Sequence, residues 1–191
     1  MAEVLLFHHA QGLTNGVEAF AESLRQSGHT VHTPDLFDGR VFDDLEQGVA
    51  HAKSIGFGRI LERAGEIASG LPAELVYAGF SMGVLAAQML AQQRADARGA
   101  LLVDACVPPT EFGPSWPDGV PVQVHGMDAD SWFVDDGDLA AAEALVAAAP
   151  DAELFLYPGD QHLFADSSLP AFDEEAAGLF TERVLTFLAR L

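Results

Sequence analysis

The sequence has few basic residues, a single cysteine and no long hydrophobic run. Nine lysines and arginines stand against 29 aspartates and glutamates, which gives a formal net charge of −20. Such a chain repels phosphate groups, so nucleic acid and anionic membrane surfaces are not expected as partners. Because Cys106 is the only cysteine, an internal disulfide and a cysteine-based zinc site are excluded. Cys106 follows an apolar run, and we expect a buried structural thiol.

The chain also lacks the signals of export and of membrane insertion. Its longest apolar runs fall far short of a membrane span, and Met1-Ala2-Glu3 has no basic region typical of a secretion signal. A cytoplasmic location is therefore expected. The 191 residues are 49% hydrophobic and contain no linker or low-complexity tract, so we expect one domain spanning residues 1–191.

Short apolar segments alternate with helical segments along the whole chain. Strands are predicted at 4–7, 29–33, 75–78, 100–103, 120–125 and 153–157, and helices at 17–26, 42–53, 57–68, 83–92, before Pro150, and 173–191. This alternation predicts an α/β fold with a mainly parallel six-stranded sheet and helices on both faces. Right-handed crossovers predict the strand order 2-1-3-4-5-6, and ligands bind such sheets at the switch point between strands one and three.

The most informative motif is Gly79-Phe80-Ser81-Met82-Gly83, which lies between a predicted buried strand and a predicted helix. A strand before and a helix after G-x-S-x-G are what a nucleophile elbow requires. In such a turn the glycines allow close backbone approach, and the serine is held in a strained conformation that exposes its Oγ. The alternative is a glycine-rich turn of another α/β fold, with Ser81 as a helix cap. The motif lies at the predicted switch point, where ligands bind, and this position favours Ser81 as a nucleophile over Ser81 as a helix cap.

A serine nucleophile needs a base and a group that orients the base. His162 follows the last predicted strand and should reach the same sheet edge as Ser81. The chain order Ser, Asp, His of α/β hydrolases puts the acid after the fifth strand. We predict Asp130 there, with Asp128 as the alternative. Four other histidines, His29, His32, His51 and His125, are interpreted as structural. Three other acidic residues of the loop, Asp135, Asp136 and Asp138, are interpreted as the entry to the next helix, where negative charge suits the helix dipole.

An oxyanion hole needs two backbone N–H donors aimed at the developing negative charge. The residue after the nucleophile, Met82, supplies one, and Gln11 in the loop after strand one is predicted to supply the other. His8 and His9 end the same strand; His9 is a candidate for contact with substrate, although a structural role is favoured for the pair.

Several segments together resemble the dienelactone hydrolase family of the α/β-hydrolase superfamily. They are HHAQGLTNGVEAF, HTVHTPDLFDG, GFSMG, VPVQVHGMDAD and YPGDQHLF, which span nearly the full length. The resemblance implies that Ser81, Asp130 and His162 form a catalytic triad. Dienelactone hydrolases carry cysteine at the nucleophile position, so ester hydrolysis is implied more firmly than lactone specificity. Arg40 and Arg59 are the only nearby candidates to grip a substrate carboxylate.

Only a short Pro-rich loop, 104–119, lies between the fourth and fifth strands, so no lid domain and a shallow pocket are expected. Loop aromatics could form its rim, with Phe112, Trp132 and Phe164 as candidate substrate contacts and Trp116 and Phe133 as further rim residues. We therefore predict a serine hydrolase for small, neutral esters or lactones, acting as a monomer or homodimer. The alternatives are a non-catalytic binding or regulatory protein and an acyltransferase. No cofactor, metal or nucleotide site is expected, because the histidines and carboxylates are scattered and no phosphate loop follows strand one.

Overall fold

The computed structural model describes residues 1–191, and its centre is a sheet of six parallel strands. In chain order the strands are β1 (Glu3–Phe7), β2 (Thr30–His32), β3 (Val76–Phe80), β4 (Gly99–Val103), β5 (Val122–Met127) and β6 (Ala152–Tyr157). Their spatial order is β2-β1-β3-β4-β5-β6, and every neighbouring pair is parallel. The predicted fold class and strand order are confirmed.

Seven helices connect and cover the strands. They are α1 (Asn15–Gln26), α2 (Leu45–Ile55), α3 (Phe57–Ser69), α4 (Met82–Gln93), α5 (Ser131–Val134), α6 (Asp138–Ala148) and α7 (Glu174–Leu188). The start of α2 differs from the prediction because the Asp44 side chain accepts a hydrogen bond from Gln47 N–H and caps the helix there. The one-turn helix α5 was not predicted; Asp130 caps it by accepting from Trp132 N–H. None of the helices combines the length and apolarity needed to cross a bilayer.

Alternate strand residues divide the interior between the two faces of the sheet. Leu5 and Phe7 of β1 pack in a cluster of 29 buried residues with α2, α3, α4 and α6. Val4 and Leu6 point the other way, into a cluster of 23 residues that includes α1 and α7. Because neighbouring strand residues face opposite sides, a parallel sheet covered on both sides needs apolar residues at every position. The strand sequences VYAGF and GALLV meet this requirement.

The turn from β3 into α4 depends on two glycines. A Cβ on Gly79 would lie 2.3 Å from the Gly83 carbonyl oxygen, and one on Gly83 would lie 2.4 Å from the Phe7 carbonyl oxygen. These are backbone atoms of the turn and of β1, which cannot move aside cheaply. The close approach holds the start of α4 against the carboxyl ends of β1 and β3.

The connection after β4 contains only a short 3-10 helix, Pro109–Glu111. No lid domain therefore separates β4 from β5. Since β4 lies between β3 and β5, the loops that follow these three strands meet at one edge of the sheet, where the candidate site is found.

Candidate active site

Ser81, His162 and Asp130 form a continuous hydrogen-bonded chain at the carboxyl edge of the sheet. Ser81 Oγ lies 2.8 Å from His162 Nε2, and His162 Nδ1 lies 2.6 Å from Asp130 Oδ2. A carboxylate can only accept, so Nδ1–H donates to Asp130 and the free lone pair of Nε2 faces the serine hydroxyl. This is the tautomer that a general base for Ser81 requires.

Three separate loops supply these side chains. Ser81 follows β3, Asp130 follows β5 and His162 follows β6. Among the acidic residues of the loop after β5, Asp130 is the one that contacts the imidazole. The alternative, Asp128, accepts instead from Gly159 N–H at 3.1 Å and is exposed. The geometry thus favours Asp130 over Asp128 as the acid.

Backbone strain is concentrated around this chain of side chains. Four residues other than glycine have a positive φ, and three of them lie here: Ser81 at 48°, Asp104 at 59° and Leu163 at 66°. Such conformations cost free energy and persist where the surrounding structure imposes them, which is common at functional sites. The strained serine at the elbow agrees with the conformation expected from the motif.

The loop after β1 differs from the prediction by one residue. Gln11 N–H donates to His9 Nδ1 at 3.2 Å, and the Gln11 side chain donates to the Phe42 carbonyl oxygen at 2.9 Å. Ala10 lies in the turn closed by the bond from Gly12 N–H to the His9 carbonyl oxygen; its own N–H makes no hydrogen bond within the chain, and the residue lines the pocket. The Ala10 N–H therefore replaces that of Gln11 as the candidate second donor. The first, Met82 N–H, begins α4 and has no partner within the helix.

A buried network supports this loop. His9 Nε2 lies 2.8 Å from Asp166 Oδ2, and Thr14 and Ser168 also donate to the Asp166 carboxylate. Burial alone would raise the pKa of Asp166, but the hydrogen bonds from His9, Ser168 and Thr14 hold it at about 2. The network ties the loop after β1 to the loop that follows His162. Asp166 was missed in the sequence because nothing in its local pattern shows that it meets His9.

A pocket of about 260 Å³ opens beside Ser81 and His162. Its largely apolar lining comes from the loops after β1 and β4 and from helices α2 to α5, with Leu45, Val49, Ala52, Phe57, Met82, Leu85 and Trp132 among the residues. A larger concavity, of about 610 Å³, lies at the opposite edge of the sheet near Arg98 and Arg190 and contains neither Ser81 nor His162. The smaller pocket is the candidate substrate site because it holds the hydrogen-bonded chain.

Of the predicted substrate contacts, only Trp132 lines this pocket; it is 40% exposed and its ring centroid lies 5.8 Å from that of His162. Phe164 is fully buried against Tyr157 and Phe180 in the other face of the sheet. His9 is buried in the network described above. Phe112 lies at the end of the 3-10 helix, outside the lining. The structure therefore places all three residues outside the pocket lining, and for His9 and Phe164 the reason is burial elsewhere in the fold.

The further rim residues and the other polar residues also lie apart from the pocket lining. Trp116 and Phe133 are buried, and Cys106 is a buried thiol as expected. Of the seven histidines only His162 lines the pocket, and neither Arg40 nor Arg59 does. The pocket lining therefore contains no lysine or arginine that could grip a substrate carboxylate.

Comparison with known proteins places the chain in a protein family. A model of the dienelactone hydrolase family matches residues 1–191. The chain belongs to the dienelactone hydrolase family. Membership of this family supports a carboxylic ester hydrolase, the enzyme class that the motifs predict. No curated protein matches the chain in sequence.

Solved structures show the same fold as this dienelactone hydrolase family member at low sequence identity. A protein of Klebsiella pneumoniae assigned as a dienelactone hydrolase is 20% identical, with a TM-score of 0.79 over 100% of this chain and 88% of that one. A dienelactone hydrolase-like promiscuous phosphotriesterase from metagenomic libraries is 18% identical, with a TM-score of 0.74 over 100% and 87%. Dienelactone hydrolase from Anabaena variabilis is 16% identical, with a TM-score of 0.72 over 100% and 86%.

The pH dependence of this family member is expected to follow His162. Burial opposes the charged imidazole, but the hydrogen bond to Asp130 and the charges of Asp104, Asp130 and Asp138 outweigh burial and raise the pKa of His162 above its ordinary 6.5. Only the neutral imidazole can accept the serine proton, so kcat/KM should fall as the pH drops through this raised pKa. A profile for a neutral ester, measured by pH-stat from about pH 5 to pH 9, should place the midpoint of the acid limb above 6.5. A midpoint below 6.5 would contradict it.

Proposed function

We propose that the protein hydrolyses small carboxylic esters or lactones through an acyl-enzyme on Ser81. The observation that carries the proposal is the chain of hydrogen bonds from Ser81 through His162 to Asp130, which borders an apolar pocket. A serine hydroxyl is a poor nucleophile near neutral pH, and a neutral imidazole 2.8 Å away is the base that it needs.

In the first half of the reaction, Ser81 Oγ forms a bond to the carbonyl carbon while His162 Nε2 takes the hydroxyl proton. The carbonyl oxygen becomes negative and accepts from the N–H groups of Met82 and Ala10. When the tetrahedral intermediate breaks down, the bond to the alcohol oxygen is cleaved and His162 returns the proton to it. Asp130 stabilises the imidazolium that exists between these two transfers.

In the second half, water attacks the acyl carbon and gives its proton to Nε2. A second tetrahedral intermediate releases the acid, and His162 returns the proton to Ser81 Oγ. Each half therefore uses the same base and the same two backbone donors, and no other co-reactant than water is consumed.

The pocket dimensions limit the substrate. A volume of about 260 Å³ accommodates a short acyl or alcohol group but not a long lipid chain. The absence of lysine and arginine from the lining removes the electrostatic attraction that an anionic substrate would need. We therefore propose short esters or lactones without a carboxylate, and faster turnover of long-chain esters would contradict this.

The mechanism is tested by trapping its intermediate. Rapid mixing with p-nitrophenyl acetate should release a burst of p-nitrophenol that matches the enzyme concentration, because acylation of Ser81 precedes slower deacylation. Acid quenching and peptide mass spectrometry should then find one acetyl group on the peptide that contains Ser81. Acylation of another residue, or turnover with none, would refute the mechanism.

The same experiments distinguish the two alternative functions. Binding of a small ligand without any acylation would support a non-catalytic protein. Ester formation from an added alcohol in preference to hydrolysis would support an acyltransferase.

A further inference from the structure

Asp104 is a buried carboxyl group in the pocket that the proposed mechanism does not use. It follows β4, between the strands that carry Ser81 and Asp130, and its N–H donates to the His125 carbonyl oxygen at 2.8 Å. The residue is only 1% exposed, yet neither side-chain oxygen has a hydrogen-bond partner. It also lines the pocket beside Ser81 and His162.

A buried carboxyl group without a partner is costly, and a bound ligand can remove the cost by donating to it. Burial, with a contribution from the charge of Asp130, raises the pKa of Asp104 from its ordinary 3.8 to about 7, while the charge of His162 and the nearby backbone N–H of Leu163 oppose the rise. The backbone of Asp104 has a positive φ of 59°, a strained conformation of the kind found at functional sites.

Two further carboxyl groups line the same pocket. Asp138 Oδ1 accepts from Cys106 N–H at 2.7 Å, which joins the start of α6 to the loop after β4, and Asp136 precedes it in the chain. We call Asp104, Asp136 and Asp138 the acidic wall. The part of the lining that comes from α2, α3 and α4 is apolar. The acidic and histidine side chains of the chain form no cluster with the geometry of a metal site, so an organic cation is the better match.

We propose that the acidic wall binds a protonated amine on the substrate, with Asp104 accepting its hydrogen bond, so that the preferred substrates are short esters carrying an ammonium group. The inference rests on the proposed esterase function and names its substrate class. The apolar lining from α2, α3 and α4 contacts the hydrocarbon part of such a substrate. Carboxylate-bearing esters are disfavoured, because they meet like charges and neither lysine nor arginine in the lining.

Three methyl esters of similar size test the inference: methyl β-alaninate, which carries an ammonium group, methyl butanoate, which is neutral, and monomethyl succinate, which carries a carboxylate. Hydrolysis is followed by pH-stat above the Asp104 pKa of about 7 and below the pKa of the amine. The kcat/KM of the wild-type enzyme should be about tenfold or more higher for the ammonium ester than for the neutral one, the size expected for a hydrogen bond to a charged group. The carboxylate ester should be the slowest. As an independent readout, butylammonium should inhibit methyl butanoate hydrolysis more strongly than butanol does.

Asp104→Asn should remove the preference for the ammonium ester over methyl butanoate. The measured quantity is the ratio of the two kcat/KM values, because loss of the Asp104 charge also changes the pKa of His162 and so affects both esters alike. Asparagine tolerates the positive φ of this position, so the variant is expected to fold. Asp135→Asn is the matched control, because Asp135 is exposed, nearby and outside the pocket lining; it should keep the wild-type preference.

Hydrolysis of all three esters without charge preference would overturn this inference alone. An equal loss for all three in Asp104→Asn would show that Asp104 acts through His162 and would also overturn it. Failure to hydrolyse any ester would overturn the proposed function as well.

Discussion

Ser81→Ala should lose about 10⁴-fold to 10⁶-fold of the wild-type kcat for a short ester, while its circular dichroism spectrum stays unchanged. The substitution removes the Oγ that lies 2.8 Å from His162 Nε2, and no second hydroxyl contacts that nitrogen. The residual rate over water would come from the backbone donors and from substrate binding. Alanine keeps the Cβ that the elbow already accommodates, so the turn geometry should persist.

The matched control is Ser69→Ala at the end of α3. Its hydroxyl donates to the Gly65 carbonyl oxygen and lies outside the pocket, so its loss should leave the rate of ester hydrolysis unchanged. The comparison separates removal of the nucleophile from removal of any serine hydroxyl. Equal rates for wild type and Ser81→Ala would exclude the acyl-enzyme mechanism.

Asp130→Asn should reduce kcat by about 10³-fold to 10⁴-fold. Asp130 Oδ2 accepts the proton on His162 Nδ1 at 2.6 Å. An asparagine NH₂ in that place would donate to Nδ1 and move the proton to Nε2, which could then no longer accept from Ser81. The amide oxygen can still accept from Trp132 N–H and cap α5, so the variant should remain folded. The measurement is kcat for a neutral ester together with a thermal unfolding curve.

Asp128→Asn provides the comparison for that variant. Asp128 is exposed and accepts from Gly159 N–H, and asparagine can keep this bond, so little change in kcat is expected. A large loss in Asp128→Asn combined with near-normal activity in Asp130→Asn would reverse the assignment of the acid that the geometry favours.

The sheet and its helices were predictable because their signals are local. Strands such as β4, with GALLV, are apolar at every position, and this is the pattern of a strand buried on both faces. Chirality then restricts the order of the strands, so six such segments separated by helices allow few arrangements. The ends of the elements were less predictable: α2 starts at Leu45 through the Asp44 cap, and α5 forms inside a segment interpreted as a loop.

The pocket residues were predicted less well than the sheet. Gln11 was expected to face the substrate, but its N–H is bonded to His9, and Ala10 lines the pocket instead. Which residue of a turn faces a cavity depends on φ angles and on distant partners such as Asp166, and neither is written in the local pattern. Phe112 and Phe164 illustrate the same limit, because aromatic residues in loops cover a core as readily as they line a pocket.

The sequence by itself determined the α/β fold, its strand order and the candidates Ser81, Asp130 and His162, because hydrophobic periodicity and a strand-turn-helix motif act over short stretches of chain. Tertiary structure alone decided which side chains surround the imidazole. The network of His9 and Asp166 joins segments far apart in sequence. The pocket does the same, because its lining combines Ala10 with the residues of the acidic wall. Packing at the sheet edge brings these segments together. Asp104 shows the difference most clearly: in the sequence it is one acidic residue among 29, and only burial between β3 and β5 leaves its carboxyl group without a partner in the pocket.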